Sequence, residues 1–145
     1  MISSFKDEYF FLSNFYPAQV TYDGITYQNT EAAFQAQKEA NKEDRKFYAD
    51  LNPSEAKRRG RHCNLRKDWE QAKVQEMYNI LLLKFEQHPD LKRKLVDTAP
   101  EQLIEGNDWG DKVWGAVWTG NRWDGANTLG KLLMNLRTAY IRGDL

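Results

Sequence analysis

The chain has 145 residues, a formal net charge of +0, 41% hydrophobic and 29% charged residues, and one cysteine, Cys63. That length and composition suit a single globular domain, residues 1–145, with its own apolar core, and one cysteine excludes an intrachain disulfide and suits a reducing compartment. A neutral chain exerts no global pull on nucleic acid or membrane, its apolar run Ile80–Leu83 is too short to span a bilayer, and Met1–Asp7 lacks the pattern of a secretory signal, so a cytoplasmic protein is expected.

In chain order, Phe10–Pro17 is aromatic-rich and ended by proline, which suggests a buried strand or loop. Val20–Tyr22 and Ile25–Tyr27 flank Asp23-Gly24, a pair that tolerates the positive φ of a type I′ hairpin turn. A helix is expected from about Thr30, capped by Asn29 or Thr30, with Glu31 in the first turn where a carboxylate suits the dipole. Ala32, Ala33, Ala36 and Ala40 give it a thin face. Asn52-Pro53-Ser54-Glu55 combines a cap, a first-turn proline and a reciprocal glutamate. The short helix it opens should run to about Arg59 and end at Gly60.

Trp69, Val74, Met77, Tyr78, Leu81, Leu82 and Phe85 recur near the 3.6 period and predict a longer helix over Asp68–Gln87, stopped by His88-Pro89. Leu91–Val96 predicts another short helix, and Thr98–Glu101 a further capped turn. Val113–Trp118 reads as extended, and Thr119–Ala126 as a loop. Asn127 is placed to cap a last helix that buries Leu129, Leu132, Leu133, Leu136 and Tyr140. The fold class expected is mainly α, with a small N-terminal β-hairpin element.

Four features bear on chemistry. Glu31, Gln35 and Lys38 are spaced i, i+4, i+7 and share a helix face. A carboxylate, an amide and an ammonium there can form a catalytic set, or equally an ordinary solvated face. Asp108-Trp109-Gly110-Asp111 sets two acids beside an aromatic ring in a non-helical stretch. Apolar contact raises a carboxyl pKa and prepares it for acid–base work, although a surface turn has the same composition. Asn127-Thr128-Leu129-Gly130 places a glycine in the first turn of a helix, where a phosphate can approach free N–H groups, or where another element packs closely.

The fourth feature is charge layout. Six basic residues and no acid lie between Lys57 and Lys67, and five acids and no base between Asp97 and Asp111. A phosphate clamp beside an acidic centre is one reading, with Arg61 after Gly60 the best phosphate ligand. Mutual pairing or plain solvation is the other. Two histidines and one cysteine have no zinc spacing, so no metal is expected. Walker, Rossmann and serine-elbow motifs are absent, so no nucleotide cofactor is expected either.

Taken together these segments resemble a known family. Phe11-Leu12-Ser13-Asn14-Phe15 followed by Thr30–Lys38 is similar to the opening of the YbiA-like NADAR family. Gly60-Arg61 and Asp68-Trp69 resemble its middle motifs, and Trp109-Gly110-Asp111 with Asn127–Met134 its close. The likeness runs from about Phe11 to Arg137. It implies a mostly α fold and N-glycosidase activity without a cofactor.

Two substrate classes are associated with such proteins: an early phosphoribosylamino-pyrimidine of riboflavin synthesis, and guanine carrying ADP-ribose on its exocyclic amine in nucleic acid. In both, ribose C1 is bonded to an exocyclic amine, an aminal that opens to an imine with little leaving-group activation. The resemblance implies Glu31, Asp111 and Lys38 as catalytic groups, Lys38 by attack on that imine. Phe15, Trp69, Trp109 and Gly110 would line the pocket, Asn14 and Asn127 would bind ribose hydroxyls, and Gly60, Arg61, Asn127 and Gly130 would hold phosphate.

The Trp-rich stretch Lys112–Ala126 differs from the shorter, Gly-rich linker of the riboflavin-linked members. ADP-ribosylated nucleic acid is therefore the expected partner and substrate, and genomic pairing with an ADP-ribosyltransferase would fit it. A non-catalytic NAD or ADP-ribose binding module is the alternative of another class, opposed by the joint presence of Glu31 and Asp111.

Overall fold

The computed structural model describes all residues, 1–145. The chain is helix-rich, with two small antiparallel hairpins. Its contacts divide it into two units, one formed by Asn14–Pro89 and the other by Met1–Ser13 with Asp90–Leu145. No helix is long and apolar enough to cross a membrane.

In the Asn14–Pro89 unit, β1 (Val20–Tyr22) pairs with β2 (Ile25–Tyr27), and Tyr22 stands opposite Ile25. Asp23 (φ 53°) and Gly24 (φ 81°) are both left-handed, the type I′ geometry expected of Asp-Gly. Helix α1 (Thr30–Ala36) starts where expected, with Asn29 Oδ1 accepting the Ala32 N–H at 2.7 Å. It ends two turns later, so Ala40 does not extend its thin face. Instead Ala40 N–H bonds the Asn64 carbonyl, and Arg66 N–H bonds the Lys38 carbonyl.

A 3₁₀ helix over Lys42–Tyr48, capped by Asn41, follows without a sequence signal strong enough to predict it. Helix α2 (Pro53–Gly60) carries the full reciprocal capping box between Asn52 and Glu55. Gly60 closes α2 from inside, and the cap residue Arg61 keeps a right-handed backbone.

Helix α3 (Trp69–Gln87) buries Trp69, Met77, Ile80, Leu81 and Phe85, and with them Lys84. Val74, expected on that face, is exposed. Asp68 sits at the N-cap position without capping, because its carboxylate takes Arg66 at 2.7 and 3.0 Å.

Helix α4 (Pro89–Asp97) begins on the proline that stops α3. In the second unit, Asp7–Leu12 forms a 3₁₀ helix where a strand or loop was expected, with Phe11 and Leu12 buried and Phe10 partly exposed. Thr98 makes a turn but not an N-cap: its hydroxyl donates to the Leu95 carbonyl and accepts from Arg137.

The extended stretch after Val113 contributes only β3 (Val117–Trp118). It pairs with β4 (Trp123–Asp124) inside the expected loop, forming a hairpin with the Trp118 and Trp123 rings 5.3 Å apart. Helix α5 (Thr128–Arg142) buries Leu129, Gly130, Leu133 and Leu136, and Arg137 among them.

Candidate active site

Glu31 enters the first turn of α1 through a local anchor. Its backbone N–H donates to the Asn14 carbonyl at 3.1 Å, and the Thr30 hydroxyl donates to Asn14 Oδ1 at 2.9 Å. Asn14 is itself buried, with Nδ2 against Met77 Sδ at 3.3 Å. Its amide thus serves the entry of α1, a role the sequence reading did not assign. The Glu31 side chain is 8% exposed, and Gln35 Nε2 donates to Glu31 Oε1 at 3.0 Å. A carboxylate so placed has one oxygen oriented by a neutral amide.

Gln35 Oε1 faces Gly60, buried and accepting no hydrogen bond. A Cβ at position 60 would collide with Gln35 Oε1 and lie 2.9 Å from its Cδ. Gly60 is therefore needed for space: its backbone closes over Gln35, which in turn holds Glu31. This differs from the phosphate cradle expected of it. Arg61, the next residue, is exposed and makes no ion pair.

Lys38 lies past the end of α1, where its N–H bonds the Gln35 carbonyl at 3.2 Å. The buried carboxylate of Glu39 fixes this turn, accepting the Tyr48 hydroxyl at 2.7 Å and the Asn64 N–H at 3.2 Å. Burial lowers the Lys38 pKa below the ordinary value of 10.5. Cys63 and Glu31 oppose that shift, and Lys57 and Arg61 add to it. Glu31 and Lys38 therefore feel each other even though the helix does not run through both.

Trp69 is 6% exposed and packs on Phe34 with centroids 5.2 Å apart. Phe15 is 39% exposed and lines a surface pocket of about 580 Å³ with Pro17, Asn29, Leu51 and His88. Glu31 and Lys38 are not part of that lining.

The other expected residues belong to the Asp90–Leu145 segment. Asn107 builds the Asp108–Asp111 loop: its Oδ1 accepts the Asp111 N–H at 2.9 Å and its Nδ2 donates to the Asp111 carbonyl at 2.8 Å. Asp111 Oδ1 accepts the N–H groups of Val113 and Trp114, each at 3.0 Å. Gly110 supplies φ 88°, a conformation natural to glycine. Trp109 is 62% exposed at the tip. Asn107 was not predicted, although an amide four residues before Asp111 is a recognisable turn signal.

Asn127 is a correction. Its backbone is left-handed at φ 52° and its side chain does not cap α5. Asn127 Nδ2 donates to the Leu103 carbonyl at 2.9 Å and Oδ1 accepts the Glu105 N–H at 3.0 Å. Gly130 is buried against that same carbonyl and the Asn127 amide, which fill the space a Cβ would need. Close packing explains this glycine. No group of three or more metal-ligating side chains forms anywhere in the chain.

The NADAR domain pattern matches residues 3–140. N-glycosidase YbiA of Escherichia coli (strain K12) is 40% identical over 140 residues, 92% of this chain and 83% of that protein. The chloroplastic riboflavin biosynthesis protein PYRR of Arabidopsis thaliana is 40% identical over 77 residues, 53% of this chain and 12% of that protein. The NMR structure of E. coli YbiA aligns with a TM-score of 0.84 at 37% identity, over 99% of this chain and 87% of that one.

Proposed function

This chain belongs to the NADAR domain family, and on that premise we propose that it is an N-glycosidase that cleaves ribose C1 from an exocyclic amine of a base, with ADP-ribosylated guanine as preferred substrate. The observation that carries the reading is the Glu31–Gln35–Lys38 arrangement: a buried carboxylate oriented by an amide, beside a lysine whose burial disfavours its charged form.

The chemistry follows from those two groups. Protonation of the ring oxygen by Glu31 opens the ribose and leaves an imine between C1 and the base nitrogen. Neutral Lys38 Nζ adds to C1. Glu31 then moves a proton from Nζ to the departing nitrogen, the C1–N bond to the base breaks, and a Lys38 imine remains. Water adds to that imine with Glu31 as base, releasing the sugar and regenerating the amine. A lowered lysine pKa enlarges the neutral fraction near neutrality, so kcat/KM rises with pH through that pKa. Asp111 is proposed as a second carboxylate, held in one orientation by two backbone N–H donors, and exposed Trp109 as a stacking face.

A second reading has its own support. The likeness to a riboflavin biosynthesis protein favours a phosphoribosylamino-pyrimidine, which presents the same C1–amine bond. An assay offering both substrates decides between them by which sugar phosphate is released. Borohydride added during turnover should trap a ribosyl adduct on Lys38 in the wild type and none in Lys38→Met. Tight binding of ADP-ribose with no turnover of either substrate would instead make this a binding module.

A further inference from the structure

The segment Asn41–Lys67 contains nine basic and four acidic residues in a chain of zero net charge. The candidate site uses little of this excess. Arg66 is committed to Asp68 and Glu76, and Arg45 to the Glu39 carbonyl. Arg58, Arg59, Arg61 and Lys67 are exposed and make no ion pair. Beside them stands an exposed aromatic ring. Phe47 is 50% exposed, with Arg59 Cζ 5.2 Å and Lys46 Nζ 5.5 Å from its centroid. Arg59 also lies 5.5 Å from the buried Tyr48 ring.

A bare phenyl ring flanked by two cations, with further unpaired arginines along α2, matches what an unpaired polynucleotide presents: flat bases alternating with phosphates. Duplex DNA hides its base faces, and an acidic peptide offers no π-face to the ring. We propose that the face formed by Phe47 and the α2 arginines docks single-stranded nucleic acid, Phe47 stacking on a base while Arg58, Arg59 and Arg61 contact phosphates. α2 ends at Gly60, which packs on Gln35, so the docking face is continuous with the element that holds Glu31. The proposal rests on the glycosidase reading only in the choice of a nucleic acid substrate over a small one. Docking itself needs no modified base.

The test is fluorescence anisotropy with an unmodified, 5′-labelled 12-nucleotide single strand, as DNA and as RNA, over a salt series. Wild-type protein should bind at low salt and weaken as salt rises. The double variant Arg58→Ala/Arg59→Ala should lower the salt slope by about two, as expected for two lost phosphate contacts. Phe47→Ala should weaken binding roughly tenfold with the slope unchanged, within the range for loss of one stacked base, and Phe47→Trp should restore it.

Absence of binding at low salt, equal binding of duplex or polyglutamate, or indifference to all three variants would each overturn the docking face. The glycosidase reading is measured separately, on a free ADP-ribosylated guanine nucleoside that needs no docking surface. Turnover of that nucleoside without oligonucleotide binding therefore removes the docking face alone.

Discussion

The Glu31–Lys38 region and the Asp108–Asp111 loop are both polar segments rich in candidate chemistry, but they use their polar groups differently. In the first, backbone and neutral amides do the structural work, and the ionisable groups are left buried and oriented. Glu31 receives one amide from Gln35, while Asn14, Thr30 and Glu39 hold the chain on either side. In the second, the carboxylate itself does structural work, because Asp111 Oδ1 ties two backbone N–H groups and Asn107 ties the rest. A charged group released from structural duty, and partly desolvated, is free to move protons. One that closes a turn is constrained to keep its hydrogen bonds.

The sharpest way to break this contrast is to neutralise each carboxylate isosterically. Glu31→Gln should reduce kcat by about a thousandfold, within the range for loss of a general acid–base, with an unchanged circular dichroism spectrum. Retention of more than a tenth of the activity would reverse the comparison. Gly60→Ala comes next. Its Cβ displaces Gln35 and with it Glu31, and a misplacement of this kind is expected to lower kcat roughly 10–100-fold. KM should change less, which a phosphate-cradle role would not predict. Asp111→Asn keeps Oδ1 as an acceptor for the two N–H groups, so we expect a loss of about tenfold in kcat/KM, the residual catalytic share of the carboxylate. Asp111→Ala, which removes that acceptor, should lose more and also melt earlier in a thermal scan.

The smallest effect concerns stability and separates two buried cations. Arg137 is satisfied by the Thr98 hydroxyl and the Glu101 carbonyl. Lys84 is fully buried with its Nζ 5.5 Å from the Phe85 centroid and 5.8 Å from that of Tyr16, and burial brings its pKa down to about 7 from 10.5. Between those values the unfolded chain binds a proton that the folded chain does not, so stability rises with pH across that window. The slope from this group is at most about 1.4 kcal/mol per pH unit. Lys84→Met should flatten that rise in denaturant titrations at pH 7 to 10. An unchanged slope would show that Lys84 keeps its charge in the fold.

Much of this was legible in the sequence where a local rule acts alone. Asp23-Gly24, the Asn52–Glu55 capping box and the α3 periodicity each specify their element within a few residues. The failures come where tertiary contacts take over a local signal. Asn127 has the composition of an N-cap, but the Leu103 carbonyl and the Glu105 N–H claim its amide. Gly60 looks like a helix stop, yet its lack of a side chain answers to Gln35, which lies 25 positions earlier. The spacing of Glu31 and Gln35 correctly anticipated a shared face. No rule of spacing could show that the helix ends before Lys38, or that burial rather than Glu31 dominates the lysine's proton affinity.

The distribution of the tryptophans has a spectroscopic consequence. Trp69 is the only tryptophan between Asn14 and Pro89, and it is nearly sealed beside Phe34, whereas Trp109 and Trp118 are more than half exposed. Intrinsic emission should therefore split into a blue component that acrylamide quenches poorly and a red component that it quenches readily. The blue component reports on the half of the chain that carries Glu31 and Lys38. Nucleotide stacking on Trp109 would dim only the red one, so a single unlabelled sample can follow folding and ligand capture as separate signals.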